Sequence, residues 1–285
     1  MCKNFSQRQK NMKNKKLSTR YFIISFLITF CLVTLFSFLS LISNDKRQTN
    51  IPIPDITKDY IPSSSHDMTV LLIGEGENRA YCLVKLSSQD RCIYAVSLPG
   101  EMPLKDRTLT QTQSYLGAQF LKDALSEKLE ITVERYVRVE EKMFVKILDT
   151  LGALKLKTNE DVYSFENSFS LSKGEHILPF EKVIGVMKYN TENGEEYRLN
   201  LQTQLICEIF NQKINAEKIP VASDFFNMAI NLVDTDISAF DFDLRLDFVN
   251  AFLQNPKAEA LEIEFDENYN LSDSAKTLVK THFGT

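Results

Sequence analysis

The sequence predicts an α/β domain, a mixed β-sheet covered by helices, preceded by one N-terminal transmembrane helix. Two observations carry this. Residues 21–43 run for 23 positions without a charge, directly behind a basic tail. From residue 68 onward, apolar strand-like runs interleave with segments of helical period. That interleaving is the pattern of a sheet whose faces are covered by helices, rather than of a sandwich or a bundle.

The elements follow in order. Residues 1–20 carry seven Lys or Arg and no acid. At 1.5 Å per residue the apolar run after them makes roughly 34 Å of helix, enough for a bilayer core of about 30 Å. No small-residue cleavage pair follows it, so it reads as a signal anchor rather than a cleaved leader. The positive-inside rule then places the tail in the cytoplasm and the rest of the chain outside, as a single-pass membrane protein. Residues 44–66 hold Pro52, Pro54, Pro62 and the run Ser63, Ser64, Ser65 without apolar period, a stalk. Residues 67–285 form the extracytoplasmic domain.

That domain opens with 68-MTVLLIG-74, a central strand buried on both faces. The runs 80-AYCLVKL-86 and 91-RCIYAVSL-98 read as a hairpin, and Pro99-Gly100 ends the second run with Glu101 at its lip. A helix is predicted over 111–127, a strand over 131–139, and a helix over 141–152 with Gly152 as its C-cap. A strand at 153–157 follows. Further helices are predicted at 180–188, 195–214, 222–232 and 238–254, then a strand at 260–265 and a last helix near 273–281.

Charge narrows the function classes. The chain's net charge is −5, and removing the basic tail leaves 26 basic and 38 acidic side chains, a net of −12. A domain this acidic does not gather nucleic acid by long-range attraction. Three of the five cysteines, Cys82, Cys92 and Cys207, lie in the domain, without metal-site spacing. They read as small core residues; a Cys82–Cys92 disulfide remains the alternative if the hairpin loop brings both to one face. His66, His176 and His282 are scattered, and no Ser-His-Asp pattern is present. The Gly74-Glu75-Gly76 stretch reads as a turn. On the helix beginning at Glu195, the residues Glu195, Arg198 and Gln202 share a stripe that continues into Leu205, Ile206 and Ile209. A guanidinium there can grip a phosphate; the alternative is that Arg198 simply pairs with Glu195.

The order of these features, with the block 131-ITVERYVRVEEKMFVKILDTLGALKL-156 and the stretch 233-VDTDIS-238, resembles the LytR-CpsA-Psr family of bacterial cell-envelope proteins. The resemblance covers about residues 67–255. It implies transfer of a glycopolymer from a polyprenyl-pyrophosphate carrier to peptidoglycan, with Mg2+ and a set of Arg and Asp residues around the pyrophosphate. The family's Ile-Pro-Arg-Asp turn resembles 98-LPGE-101, with Gly100 in the arginine's place and Glu101 in the acid's. A metal-side aspartate falls near Arg79 and Ala80. A late arginine signature resembles 188-KYNTENGEEYRLNLQ-202, retaining Lys188, Glu195, Arg198 and Gln202, with Asn190 and Leu201 where arginines stand.

The expectation is therefore an envelope protein impaired as a transferase. Glu101 and Arg198 are its candidate catalytic residues, and Lys188, Glu195 and Gln202 its candidate binding residues. No metal ligand is assigned, and the missing aspartate counts against Mg2+. Its partners would be the membrane, a polyprenyl-linked glycan or wall polymer, and wall-assembly proteins. The alternatives are an active phosphotransferase with a rearranged arginine set and a purely protein-binding ectodomain.

Overall fold

The computed structural model describes residues 60–76, 79–164, 169–188 and 194–284. The expected tail, membrane helix and most of the stalk lie outside them. Among the described residues no helix is long and apolar enough to cross a membrane.

Three strands, β1 (Met68–Glu75), β2 (Ala80–Ser87) and β3 (Cys92–Leu98), form an antiparallel meander. Helix α1 (Leu109–Leu129) starts at a capping box, Thr108 Oγ1 accepting from Gln111 N–H while Gln111 answers the Thr108 N–H. It breaks at Gly117, whose φ of +85° few other residues adopt. The chain returns as β4 (Arg135–Glu140), parallel to β1. β4 begins four residues later than the alternation of 131–139 predicts. Ser126 explains this: its carbonyl and hydroxyl take the Ile131 and Val133 N–H groups out of any ladder.

Helix α2 (Glu141–Leu151) follows and ends at Gly152, as the sequence indicates. Next come β5 (Leu154–Thr158), β6 (Val162–Ser164), β7 (Phe169–Leu171) and β8 (Gly174–Leu178), which pair as two small ribbons, β5–β8 and β6–β7. α3 (Phe180–Lys188) and α4 (Glu195–Lys213) complete this layer. α5 (Ala222–Ile230) and β9 (Asp234–Thr235) lead into the segment expected as one helix over 238–254. It is two helices, α6 (Ala239–Leu244) and α7 (Leu246–Gln254), broken at Arg245, whose guanidinium is drawn inward to the Asp241 and Asp67 carbonyls. β10 (Ala258–Ala260) and α8 (Asp273–Phe283) end the fold.

The main sheet has the order β10-β3-β2-β1-β4-β9, with β10 parallel to β3 and β9 antiparallel to β4. One face packs Leu71, Ile73, Tyr81, Leu83, Val96 and Leu98 against α1 and α8. The other carries Cys82, Val84 and Ala95 against α4 and α7. A third apolar cluster joins α2, β5, α3 and α4 through Leu148, Leu154, Val183 and Leu205. Each such side chain contributes about 1.5–3 kcal/mol on full burial. α4 touches both the second and the third cluster, and the space between them holds the candidate site.

Candidate functional site

A cavity of about 140 Å³ lies between the main sheet and the α2–α3–α4 layer. Its sheet wall is made of Leu72, Ile73 and Gly74 on β1, Ala80 and Cys82 on β2, Ser97 on β3 and Val139 on β4, so small residues alternate with larger apolar ones there. Phe144 of α2, Ile184 of α3 and Ile206 of α4 face them. At the cavity the helix wall is fastened to the sheet by a buried polar contact. Ser97 N–H donates to Thr203 Oγ1 at 2.9 Å, and the two hydroxyls lie 2.8 Å apart. Such a contact fixes the spacing of α4 from β3, which the apolar neighbours alone leave loose.

Gln202 is 1% exposed and lines this cavity, the one predicted binding residue that does. Arg198, one turn earlier, is buried rather than solvated, and its guanidinium forks onto Glu195: Nε donates to Oε2 at 2.8 Å and a second nitrogen donates to Oε1. One donor edge of the guanidinium, Nε with a terminal nitrogen, is thus turned to the neighbouring carboxylate. Glu101 stands exposed in the turn after β3 and makes no hydrogen bond or ion pair among the described residues. Lys188 is the last residue of α3, and its side chain lies outside the described residues. The structure thus joins Glu195 to Arg198 and sets Gln202 beside them in the cavity, while Glu101 joins none of these.

Gly100 is closed to a side chain. Its carbonyl accepts the Thr110 N–H at 2.9 Å, and a Cβ built there runs into Thr110 Oγ1. A side chain at position 100 thus requires the Thr110 hydroxyl to turn away. Arg79 is turned to the same turn of helix, donating to the Thr110 carbonyl at 3.3 Å and to Ser114 Oγ.

Sequence reasoning missed a polar cluster at the ends of β1 and β4. Glu75 Oε1 accepts from Gln113 Nε2 at 3.0 Å and from Arg138 at 3.1 Å, and Arg138 also donates to Asp234 Oδ2 at 2.7 Å. Arg138 pairs in register with Ile73, so strand alternation puts its side chain on the α1 face, away from the cavity. That parallel register was the signal available, but it is set by tertiary pairing. With Glu75 so engaged and Glu101 apart, no three carboxylate, His or Cys side chains converge on a metal position among the described residues. The three cysteines are buried and free; Cys82 and Cys92 belong to clusters on opposite faces of the sheet. Burial pushes the Cys82 thiol up to about 12, with hydrogen bonds from Ser97 and Val96 acting against it.

Fold and cavity define a mixed-sheet α/β protein with an apolar slot beneath one face. The LytR_cpsA_psr family profile matches residues 63–279, and the chain belongs to that family. The polyisoprenyl-teichoic acid–peptidoglycan teichoic acid transferase TagU of Bacillus licheniformis is 26% identical over 137 residues, 47% of this chain and 44% of that protein. TagU of Bacillus subtilis is 26% identical over 148 residues, 50% of this chain and 47% of that protein. The chain spans about half the length of these curated relatives where it matches them. Among solved structures, one from Eubacterium siraeum superposes with a TM-score of 0.69 at 17% identity, covering 79% of this chain and 94% of that one. TagT bound to LIIa-WTA gives 0.58 at 15%, covering 79% and 94%. These likenesses show the fold.

Proposed function

We propose that this protein is a membrane-anchored, extracytoplasmic member of its family that holds the isoprenoid chain of an envelope lipid carrier and no longer transfers its glycopolymer. The observation that carries this is the apolar cavity under the sheet, where Gly74, Ala80, Cys82 and Ser97 stand beside Leu72 and Val139 and face Phe144, Ile184 and Ile206. A slot walled this way accepts an apolar chain. TagU is named for acting on polyisoprenyl-linked teichoic acid, which supports an isoprenoid as the ligand. The charged groups support loss of transfer. Position 100 carries no guanidinium and its Cβ position is crowded by Thr110 Oγ1, Arg198 is held by Glu195, and Arg138 is held by Glu75 and Asp234. Removing one preorganised donor to a developing anion typically costs about 2.7–4 kcal/mol of transition-state stabilisation.

The test is photocrosslinking of a radiolabelled, photoreactive short-chain isoprenoid to the full chain, with Ala80→Phe as the filled-slot variant. Saturable labelling that Ala80→Phe abolishes is expected. Cleavage of the P–O–P link of a polyprenyl-pyrophosphate-linked glycan, read as release of polyprenyl phosphate with and without Mg2+, is expected to stay at background. Labelling equal in the two proteins would remove the slot from the reading, and Mg2+-dependent release would restore the transferase.

A second reading, a scaffold for wall-assembly proteins, is favoured by one surface. Val221, Met228, Phe240 and Leu244 around α5 and α6 are all exposed apolar side chains.

A further inference from the structure

The β5–β8 ribbon has one covered edge and one bare edge. The outer edge of β5 is closed by side chains of α4. Gln212 accepts the Lys155 N–H at 2.8 Å and donates to the Lys155 carbonyl at 2.7 Å, and Gln204 donates to the Lys157 carbonyl at 3.0 Å. Those bonds fix the phase of the ladder. Lys155 and Lys157 turn their backbone groups away from β8, so their register partners Ile177 and Glu175 turn theirs away from β5. The N–H and C=O groups of Glu175 and Ile177 thus point out of the ribbon, where no further strand meets β8 and no hydrogen bond takes them up among the described residues. The side chains on the same face are equally uncommitted. Ile177 is 72% exposed, and Lys155, Lys157 and Glu175 are exposed and make no ion pair among the described residues. A bare edge that carries an exposed isoleucine is what sheets ordinarily avoid.

We infer that β8 pairs antiparallel with β8 of a second copy of this chain, about a two-fold axis through His176, joining the two ribbons into one sheet. This goes beyond the slot reading and does not rest on it. Outward backbone groups at alternate residues call for an extended strand, and this edge is complementary to itself. With His176 on the axis, Glu175 faces Ile177 of the second copy and the reverse, and each such pair exchanges both backbone bonds. On the exposed face each Glu175 then lies between its own Lys157 and, across Ile177 of the second copy, that copy's Lys155. Opposite charges alternate over the junction, and the two isoleucines are covered by these neighbours.

The experiment is oxidative cross-linking of the full chain in mild detergent, with Cys2 and Cys31 replaced by serine and one new cysteine added. On the axis, position 176 and its counterpart form a non-hydrogen-bonded pair with Cα atoms about 4.5 Å apart, within disulfide reach. Lys173, exposed on the same segment, lies about 20 Å from its counterpart in that register. His176→Cys is expected to give covalent dimer at least about tenfold faster than Lys173→Cys. In the His176→Cys background, Ile177→Glu sets a carboxylate opposite Glu175 of the second copy and should slow cross-linking severalfold. Ile177→Lys sets an ammonium there and should speed it. Within one copy position 177 faces Lys155, so any charge effect on folding alone runs in the reverse order. Equal rates for His176→Cys and Lys173→Cys overturn the pairing. Slowing by both Ile177 variants overturns it as well, since a merely apolar contact behaves that way. Sedimentation of the wild type against Ile177→Glu keeps the inference testable if His176→Cys does not fold: dimer that the glutamate weakens supports it, and a monomeric wild type overturns it.

Discussion

The two faces of the main sheet are built by the same strands from alternate residues, and they differ in size. Toward α1 and α8 the strands present Leu71, Ile73, Tyr81, Leu83, Val96 and Leu98, and that side is solid. Toward α4 and α7 they present Val84, Ile93 and Ala95 over the packed part, and Leu72, Gly74, Ala80, Cys82 and Ser97 at the end that holds the cavity. Both sets are largely buried, so burial alone does not separate a packing face from a binding face. What separates them is the volume of the residue placed on the pleat. Small residues on a face that must still be covered leave room that helices cannot fill without losing the sheet.

Truncation is the largest test of that contrast. Leu83→Ala, on the solid face, is expected to cost about 2–5 kcal/mol, because neighbours that interdigitate cannot close the hole. Cys82→Ala, one residue away on the other face, should cost no more than about 1 kcal/mol, since its side chain already borders empty space. Urea unfolding followed by circular dichroism measures both. Equal losses would mean that the cavity face is as tightly packed as its opposite.

Gly100→Arg comes next. It supplies the residue that the family turn carries, but Thr110 Oγ1 occupies the space its Cβ needs. The expected result is a loss of about 1–3 kcal/mol, as for other overpacked sites, with no gain in polyprenyl phosphate release. A stable variant with transferase activity would show that α1 yields and that a single residue separates the two functions.

The cover of the cavity face is in turn held by a charge network, which acid should release. Asp241 accepts from Arg135 Nε at 3.1 Å and from its second nitrogen at 2.8 Å, and it caps α6 through Ser238. Burial alone would raise its pKa, but the hydrogen bonds from Arg135 and Ser238 outweigh that and bring it down to about 2. A folded pKa below the unfolded value of about 3.9 means that this stabilisation is complete above the unfolded value. It is then lost as pH falls toward 2 and amounts to about 2 kcal/mol. Hydrogen exchange near pH 3 should therefore open α7 before α1. Asp241→Asn should open α7 at neutral pH and remove that acid sensitivity. Simultaneous opening of the two helices would make the faces one cooperative unit.

Much of this was legible in the sequence, for a physical reason in each case. The run 68–74 and the hairpin after it show themselves by apolar character and period, and Gly152 marks a helix end because few other residues take its φ of +73°. The stripe joining Arg198 to Gln202 was visible from helical geometry. Three things were not. Three-residue β6 and β7 carry too few residues to show a period. Whether Arg198 faces a ligand or Glu195 depends on a rotamer, which periodicity does not encode. The collision between Gly100 and Thr110 is a tertiary contact. A slot and a solid core also draw on the same apolar residue types, so composition could not tell them apart.

Gly74→Ala is the smallest change and separates the two explanations for a small-residue face. Gly74 pairs with Ala80 at the end of the β1–β2 ladder, and its φ is not in the left-handed region, so its backbone does not require glycine. An added Cβ would meet Ala80 Cβ at 3.4 Å, ordinary van der Waals contact, with the remainder of its surroundings the cavity itself. If the face existed only to be packed, alanine would be the better residue. It lowers the entropy of the unfolded chain and should raise stability by about 0.4–1 kcal/mol. If the face exists to hold a chain, the same methyl group intrudes where that chain lies. The expected outcome is therefore opposed: a higher unfolding midpoint together with weaker isoprenoid labelling. A stability gain with labelling unchanged would make Gly74 a tolerated packing defect and move the ligand's path away from β1.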